Sequence, residues 1–338
     1  MLHVTVCARS AAARSAAGLL GSRLHARRLS ARPWVRHDIN ANAAKPDGKG
    51  GLTEDCRSPA TAGAAQRFRP EQLFDLSGSV AMITGAAQGI GAAVALGYAR
   101  SGADLILADL HNEEKLAAVA EEVRALGRRV TTVTCDVRHR TQMDAAVKEA
   151  VAAMGQGPDI LFCSAGIIGR LERAEHVSHD GWTEVLAVNV EGSYNAAHAA
   201  YPHMVSAGRG KVIFISSIAG TRSAGAQVAY ACSKGAVLSL GRSLAAAWGK
   251  DNIQVNSLVP GAINTGFLDV MLANPRKLEY ILGRIPLGRL GIAQDMVGPA
   301  LFLASHASDY VTGAEIAVDG GGAVLPMLAA QNPDAYKA

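Results

Sequence analysis

The chain has 338 residues, 49% of them hydrophobic and 18% charged, with a formal net charge of +4. That is enough for one large globular domain or two small ones, and no apolar run reaches the roughly 18 uncharged residues a membrane span requires. Residues 1–70 hold twelve Lys/Arg against four Asp/Glu while the rest holds 21 against 25, so the slightly acidic body has no nucleic-acid footprint.

Residues 1–37 contain seven arginines, no lysine and no acidic residue, with many Ala and Ser. An amphipathic, Arg-rich, acid-poor start reads as a mitochondrial transit peptide, which implies the matrix. The competing reading is an unstructured Ala/Arg-biased extension, which implies the cytoplasm. Residues 38–70 are rich in Gly, Pro, Ala and Asp and read as a linker. The expected organisation is a basic extension over 1–70, a folded domain over 71–325 and a tail over 326–338. The five cysteines form no CxxC pair and the ten histidines no HExxH pattern. Neither a disulfide framework nor a metal site is expected, and a reducing compartment fits.

From residue 79 apolar runs alternate with helical patterns. SVAMIT, DLILAD, RVTTVTCDV, DILFCSAG, KVIFISS, NIQVNSLVPG and AEIAVDGG supply seven candidate strands. GIGAAVALGYARSG and NEEKLAAVAEEVRALG carry apolar residues at helical spacing, and a helix is expected over 141–153. Continuous apolar strands joined by helical crossovers predict one α/β domain of the Rossmann type: a seven-stranded, doubly wound parallel sheet with helices on both faces.

The first strand runs into Thr84-Gly-Ala-Ala-Gln-Gly-Ile-Gly91, where Gly85, Gly89 and Gly91 lie between strand and helix. Glycine permits a tight turn and lets backbone N–H groups approach a pyrophosphate at the helix start. Asp109 ends the second strand, where a carboxylate accepts from adenosine ribose hydroxyls and repels a 2′-phosphate. Gln88 and Leu110, the adjacent residues, offer no cation to that phosphate, so NAD is favoured over NADP. Asp109 can instead begin the following helical turn. Asp136 either holds the adenine amino group or caps helix 141–153. In Tyr230-Ala-Cys-Ser-Lys234, four residues place phenol and amine on one helix face. A nearby ammonium is expected to lower the phenol's pKa from its ordinary value near 10. For this pair alone, a solvated helix face is the competing reading.

The motifs TGAAQGIG at 84–91, CDV at 135–137, AVNVEG around Asn189, ISSIAG around Ser217, YACSK at 230–234 and NSLVPGAINT at 256–265 occur in one order. Together they resemble the short-chain dehydrogenase/reductase family over residues 76–322. The resemblance implies an oxidoreductase acting on CH–OH groups. It makes Tyr230 the general acid/base, Ser217 the holder of the substrate oxygen and Lys234 a ligand of the nicotinamide ribose. It makes Asn189 the anchor of a proton-relaying water. The implied cofactor contacts are Gly85, Gln88, Gly89, Ile90, Gly91, Asp109, Asp136, Val137, Ala165, Gly166, Tyr230, Lys234, Pro260, Gly261, Ile263 and Thr265. Where the family has NNAG, this chain has Cys163-Ser-Ala-Gly166. That departure puts strand-supporting hydrogen bonds in question, not the chemistry.

The stretch 266–292, with Pro275 and Pro286, is expected to be an irregular substrate lid. Residues 281–322 and AGIIGR at 165–170 look like family members acting on gluconate or deoxy-ketogluconate. The end motif also resembles 3-oxoacyl-carrier-protein reductases, and hydroxysteroids and other secondary alcohols stay open. Arg170, Arg173 and Arg222 are candidates for a substrate carboxylate or are solvated arginines. A non-catalytic dinucleotide-binding module is the alternative from another class. Ala-rich faces in NAAHAAY and SLAAAW read either as a homo-oligomer interface, tetrameric by resemblance, or as helix-covered core.

Overall fold

Alternate residues of a strand face opposite sides of a sheet, and here both sides are apolar. In β1 (Val80–Thr84), Ala81 and Ile83 enter one core cluster while Val80 and Met82 enter another. β2 (Asp104–Asp109) divides the same way, Leu105 and Leu107 against Ile106 and Ala108. Such strands need helices on both faces, and crossover helices make neighbouring strands parallel. The computed structural model describes residues 70–222, 226–266 and 274–324 and has this architecture.

The remaining strands are β3 (Val130–Thr134), β4 (Ile160–Cys163), β5 (Gly210–Ile215), β6 (Ile253–Pro260) and β7 (Glu315–Val318). All neighbours pair in parallel, in the order β3-β2-β1-β4-β5-β6-β7. One face is covered by α1 (Gly89–Arg100) and α2 (Glu113–Ala125), through Val94, Tyr98, Leu116 and Val123. The other is covered by α3 (Arg140–Met154), whose Met143 and Val147 are buried. α4 (His179–Leu186) passes through a π-helical turn, Ala187–Glu191, into α5 (Gly192–Ala207). After β5 come α6 (Ile218–Thr221) and α7 (Val228–Trp248), and later α8 (Pro275–Leu282) and α9 (Val297–Ala304). The chain winds outward from β1 to β3, then returns to β4 on β1's other side. Strand order reverses there, which opens a crevice beyond the carboxyl ends of β1 and β4.

Two expectations change and a third narrows. The third strand was expected to run through Val137 and stops at Thr134, because Cys135–Val137 turn toward α3. The stretch around Pro275 is not irregular: Pro275 opens α8, a position where its missing N–H and fixed φ suit a helix. Ile263–Asn264 and Gly291–Ile292 also pair as a two-stranded ribbon. Finally, of the two readings of NAAHAAY the structure favours helix-covered core, since Ala196, Ala197, Ala199 and Ala200 of α5 are buried against the chain's own sheet. Residues 267–273, the expected leader and linker up to residue 69 and the tail from 325 lie outside the described residues. Among the described residues no helix is long and apolar enough to cross a membrane.

One buried carboxylate ties the sheet's entry points together. Asp159, 3% exposed, accepts from Val80 N at 2.9 Å and from Arg209 Nε and Nη2 at 3.0 and 2.5 Å. Asp159→Ala removes the acceptor and leaves the Val80 amide unpaired, which costs about 2–3 kcal/mol. Chemical denaturation should report that loss with an unchanged m-value.

Candidate active site

The crevice is shaped first by backbone. A Cβ on Gly91 would lie 2.1 Å from the Gly85 carbonyl oxygen, so the turn folds onto the first residues of α1 only with glycine there. Gly85 has φ +67 and lies against the backbone of Ala165, where a Cβ would approach its nitrogen to 2.7 Å. The α1 N-cap, Gln88, makes no side-chain capping bond, so the helix's opening N–H groups are left for another acceptor. This cradle, closed to any side chain, fits a pyrophosphate.

Asp109 joins the turn to the second strand. Its Oδ2 accepts from Ala87 N at 3.0 Å and its Oδ1 from His111 N at 3.1 Å. It does not cap α2, whose N-cap is Asn112. Each oxygen keeps acceptor capacity on the crevice side, which fits ribose hydroxyls. Asp136 differs. Its carboxylate takes the Arg138 backbone N–H at 2.9 Å and the guanidinium at 2.6 to 3.0 Å, and those bonds hold its pKa below the usual range. It does not cap α3 either, since His139 is the N-cap. Lys115 reaches back from α2 to donate to Gln88 Oε1 at 2.9 Å. Neither Gln88 nor Leu110 brings a cation to this corner; Lys115 does, and it comes near only because α2 packs beside α1.

Ser217, Tyr230 and Lys234 converge at the crevice floor, each below 10% exposure. Ser217 caps α6: its Oγ accepts from Ala219 N at 3.1 Å, and its hydroxyl also hydrogen-bonds the Tyr230 phenol. Lys234 Nζ donates to Ile215 O at 2.9 Å and lies 5.7 Å from the Tyr230 ring centroid. Burial pushes the Tyr230 pKa up, and the Ser217 hydrogen bond opposes that only in part. The lysine does not make the phenol acidic here, contrary to expectation. The same burial pulls Lys234 down to about 8, with the nearby Cys163 thiol acting weakly the other way. Burial also pushes the Cys163 thiol up.

Asn189 sits in the π-helical turn with no exposed surface. Its Oδ1 accepts from Ile167 N at 2.8 Å, and its Nδ2 donates to Ile167 O and Ser233 Oγ, both at 2.9 Å. The side chain therefore clamps the segment after β4 to α7. A water would find only its residual acceptor capacity.

A cavity of about 1330 Å³ fills the crevice. It is lined by every expected cofactor residue except Gly91, and by Ser217. Gly91 and Asn189 stand behind the wall and shape it. Of the three candidate arginines only Arg222 lines the cavity, while Arg173 pairs with Glu175 at 2.6 Å. Arg284, which motif reading passed over, lines it as well.

The family model described as enoyl-(acyl carrier protein) reductase matches residues 85–322. The chain belongs to the short-chain dehydrogenase/reductase family. It is 38% identical over 249 residues to 2-dehydro-3-deoxy-D-gluconate 5-dehydrogenase of Escherichia coli, covering 73% of this chain and 96% of that protein. Gluconate 5-dehydrogenase of Gluconobacter oxydans is 36% identical over 252 residues, covering 74% and 96%. The crystal structure of a gluconate 5-dehydrogenase from Burkholderia cenocepacia, in complex with NADP and tartrate, superposes with a TM-score of 0.73 at 35% identity. It covers 76% of this chain and all of that one. This short-chain dehydrogenase/reductase is therefore an oxidoreductase acting on CH–OH groups, with a nicotinamide dinucleotide as its class of cofactor.

The buried lysine has a measurable signature. Its folded pKa of about 8 lies below the ordinary 10.5, so the unfolded chain binds more protons between those values. Lys234's contribution to stability then rises with pH through that window. The melting temperature of the cofactor-free protein, relative to Lys234→Met, should climb between pH 8 and 10.5. A flat difference would contradict a lysine whose pKa burial has lowered.

Proposed function

We propose that this enzyme is an NAD-dependent dehydrogenase interconverting a secondary alcohol and a ketone on a sugar acid. The observation that carries the chemistry is the convergence of Ser217, Tyr230 and Lys234 on one buried point of the cavity floor. The dinucleotide supplies or accepts the hydride. Ser217 orients the substrate oxygen through its hydroxyl, and Tyr230 exchanges a proton with that oxygen. A phenol held protonated by burial is ready to donate during ketone reduction. Alcohol oxidation requires the phenolate, which gains only when further positive charge enters the poorly solvated floor beside Lys234. Asn189 and the α8 region position these groups and cover the substrate end.

The sugar-acid assignment is supported by the names of the relatives, both five-position dehydrogenases of gluconate-type acids. The NAD assignment is supported by Asp109. A phosphate held against its carboxylate is repelled by roughly 3 kcal/mol per unit charge at about 5 Å and an effective dielectric near 20. Lys115 is exposed, and an exposed ion pair returns no more than about 1 kcal/mol. NADP is the second reading, favoured by that same lysine and by the NADP named with two similar structures, 35% and 37% identical. Exposed Tyr194 and Val205 on α5 support association into a homo-oligomer, which light scattering measures directly.

Tyr230→Phe should lower kcat by roughly 10²–10⁴-fold and leave the dinucleotide Kd within about twofold. Full activity in that variant refutes the role. Titration calorimetry with both dinucleotides should give NAD the tighter binding and Asp109→Ala a shift toward NADP. Tighter NADP binding by the unaltered enzyme would select the second reading. Across a panel, gluconate-type acids should exceed hydroxysteroids and acyl β-hydroxy esters in kcat/KM.

A further inference from the structure

We propose that Arg284 receives the carboxylate of the substrate and that the glycine turn after β7 holds it in place. This deepens the sugar-acid reading and rests on it. Among the described residues three arginines line the cavity. Arg138 is engaged by Asp136. Arg222 and Arg284 have no carboxylate within ion-pair distance among the described residues. Two acids, Glu184 and Asp319, line the cavity besides those at the adenosine end. Glu184 acts electrostatically on Arg138. The Asp319 carboxylate is occupied by backbone, accepting from Gly321 N at 2.9 Å and Ala323 N at 2.6 Å. The charge on Arg284 is thus left uncancelled at the substrate end.

Its placement is restrained from both sides. The guanidinium carbon lies 4.1 Å from the Tyr280 ring centroid, one turn earlier on α8. Stacking on an aromatic face leaves the edge N–H donors free for the planar, two-pronged pairing a carboxylate offers. The backbone just beyond is seated by Asp319-Gly-Gly-Gly322. Gly320 and Gly321 have φ of +63 and +86, and a Cβ on either would come within 2.8 Å of Ile285 or 2.9 Å of Pro286. Leu287 N donates to Gly320 O at 3.2 Å. The turn therefore grips residues 285–287 directly after the arginine, a role the cofactor chemistry does not ask of it. Among the described residues Arg222 has no such aromatic platform.

The test is steady-state kinetics of the full-length wild type, Arg284→Ala, Arg284→Lys and Arg222→Ala on D-gluconate and on uncharged D-gluconamide, at saturating dinucleotide. Arg284→Ala should lower kcat/KM for gluconate roughly 10- to 100-fold, mainly through KM, and change gluconamide less than about twofold. Arg284→Lys should recover only part of the loss, because an ammonium lacks the fork. Equal effects on both substrates, no effect on either, or a charge-specific loss confined to Arg222→Ala overturns the assignment. If wild type prefers gluconate and Arg284→Ala keeps that preference, this proposal alone fails. If wild type oxidises neither, or prefers gluconamide, the sugar-acid reading fails and takes this one with it.

Discussion

The bond from Lys234 Nζ to Ile215 O, 2.9 Å long, is the constraint on which the site depends. Ile215 ends β5, where a carbonyl loses its ladder partner and must find another donor. Lys234 supplies it from one turn beyond Tyr230. The return contact runs from Ser216 Oγ to Lys234 O at 2.8 Å. α6 crosses so close that a Cβ on Gly220 would sit 2.6 Å from the Lys234 carbonyl carbon. Strand end, short helix and long helix are therefore locked at one point. Ser217 and Tyr230 meet because they flank that lock.

The lock has an electrostatic consequence. Tyr230, Lys234 and Cys163 are all shifted toward their neutral forms, and desolvation is the leading cause for each. A floor that disfavours every charge of its own makes the next charge to arrive decisive. In water two unit charges 4 Å apart interact by about 1 kcal/mol, and near an effective dielectric of 20 by about 4. A ligand's charge is felt here on the larger scale. The spacing of phenol and amine alone suggests a pre-formed phenolate. Burial makes it a phenol whose ionisation waits on what enters the crevice.

The fold was legible because its signal is local. Residues 80–83 and 105–108 are apolar at consecutive positions, as a sheet buried on both faces requires. The glycine turn was legible for the same reason, since Gly85 and Gly91 contact one another across six residues. The unforeseen features depend on distant partners. Asn189 clamps residues 22 and 44 positions away, and Lys115 meets Gln88 across 27. Burial of Tyr230 comes from packing against Val185, Ala229 and Trp182, which no spacing within YACSK announces. Pro275 was misleading because proline disrupts a helix interior yet suits its first turn.

The same division separates the two halves of the cavity. The half beside the glycine turn is set mainly by backbone conformation near strand ends. The other half is lined by side chains at Glu184, Arg222, Arg284 and Asp319, spread across more than a hundred residues of chain. Each lies beyond the end of a strand or on a helix flank, where substitution leaves both core clusters untouched. Relatives 36 and 38% identical are therefore not obliged to share a substrate with this chain. Charges on segments that lie over a cavity but outside the core are where members of one fold can differ in substrate. In this chain Arg284 brings such a charge, stacked on Tyr280 and without a carboxylate in ion-pair distance among the described residues.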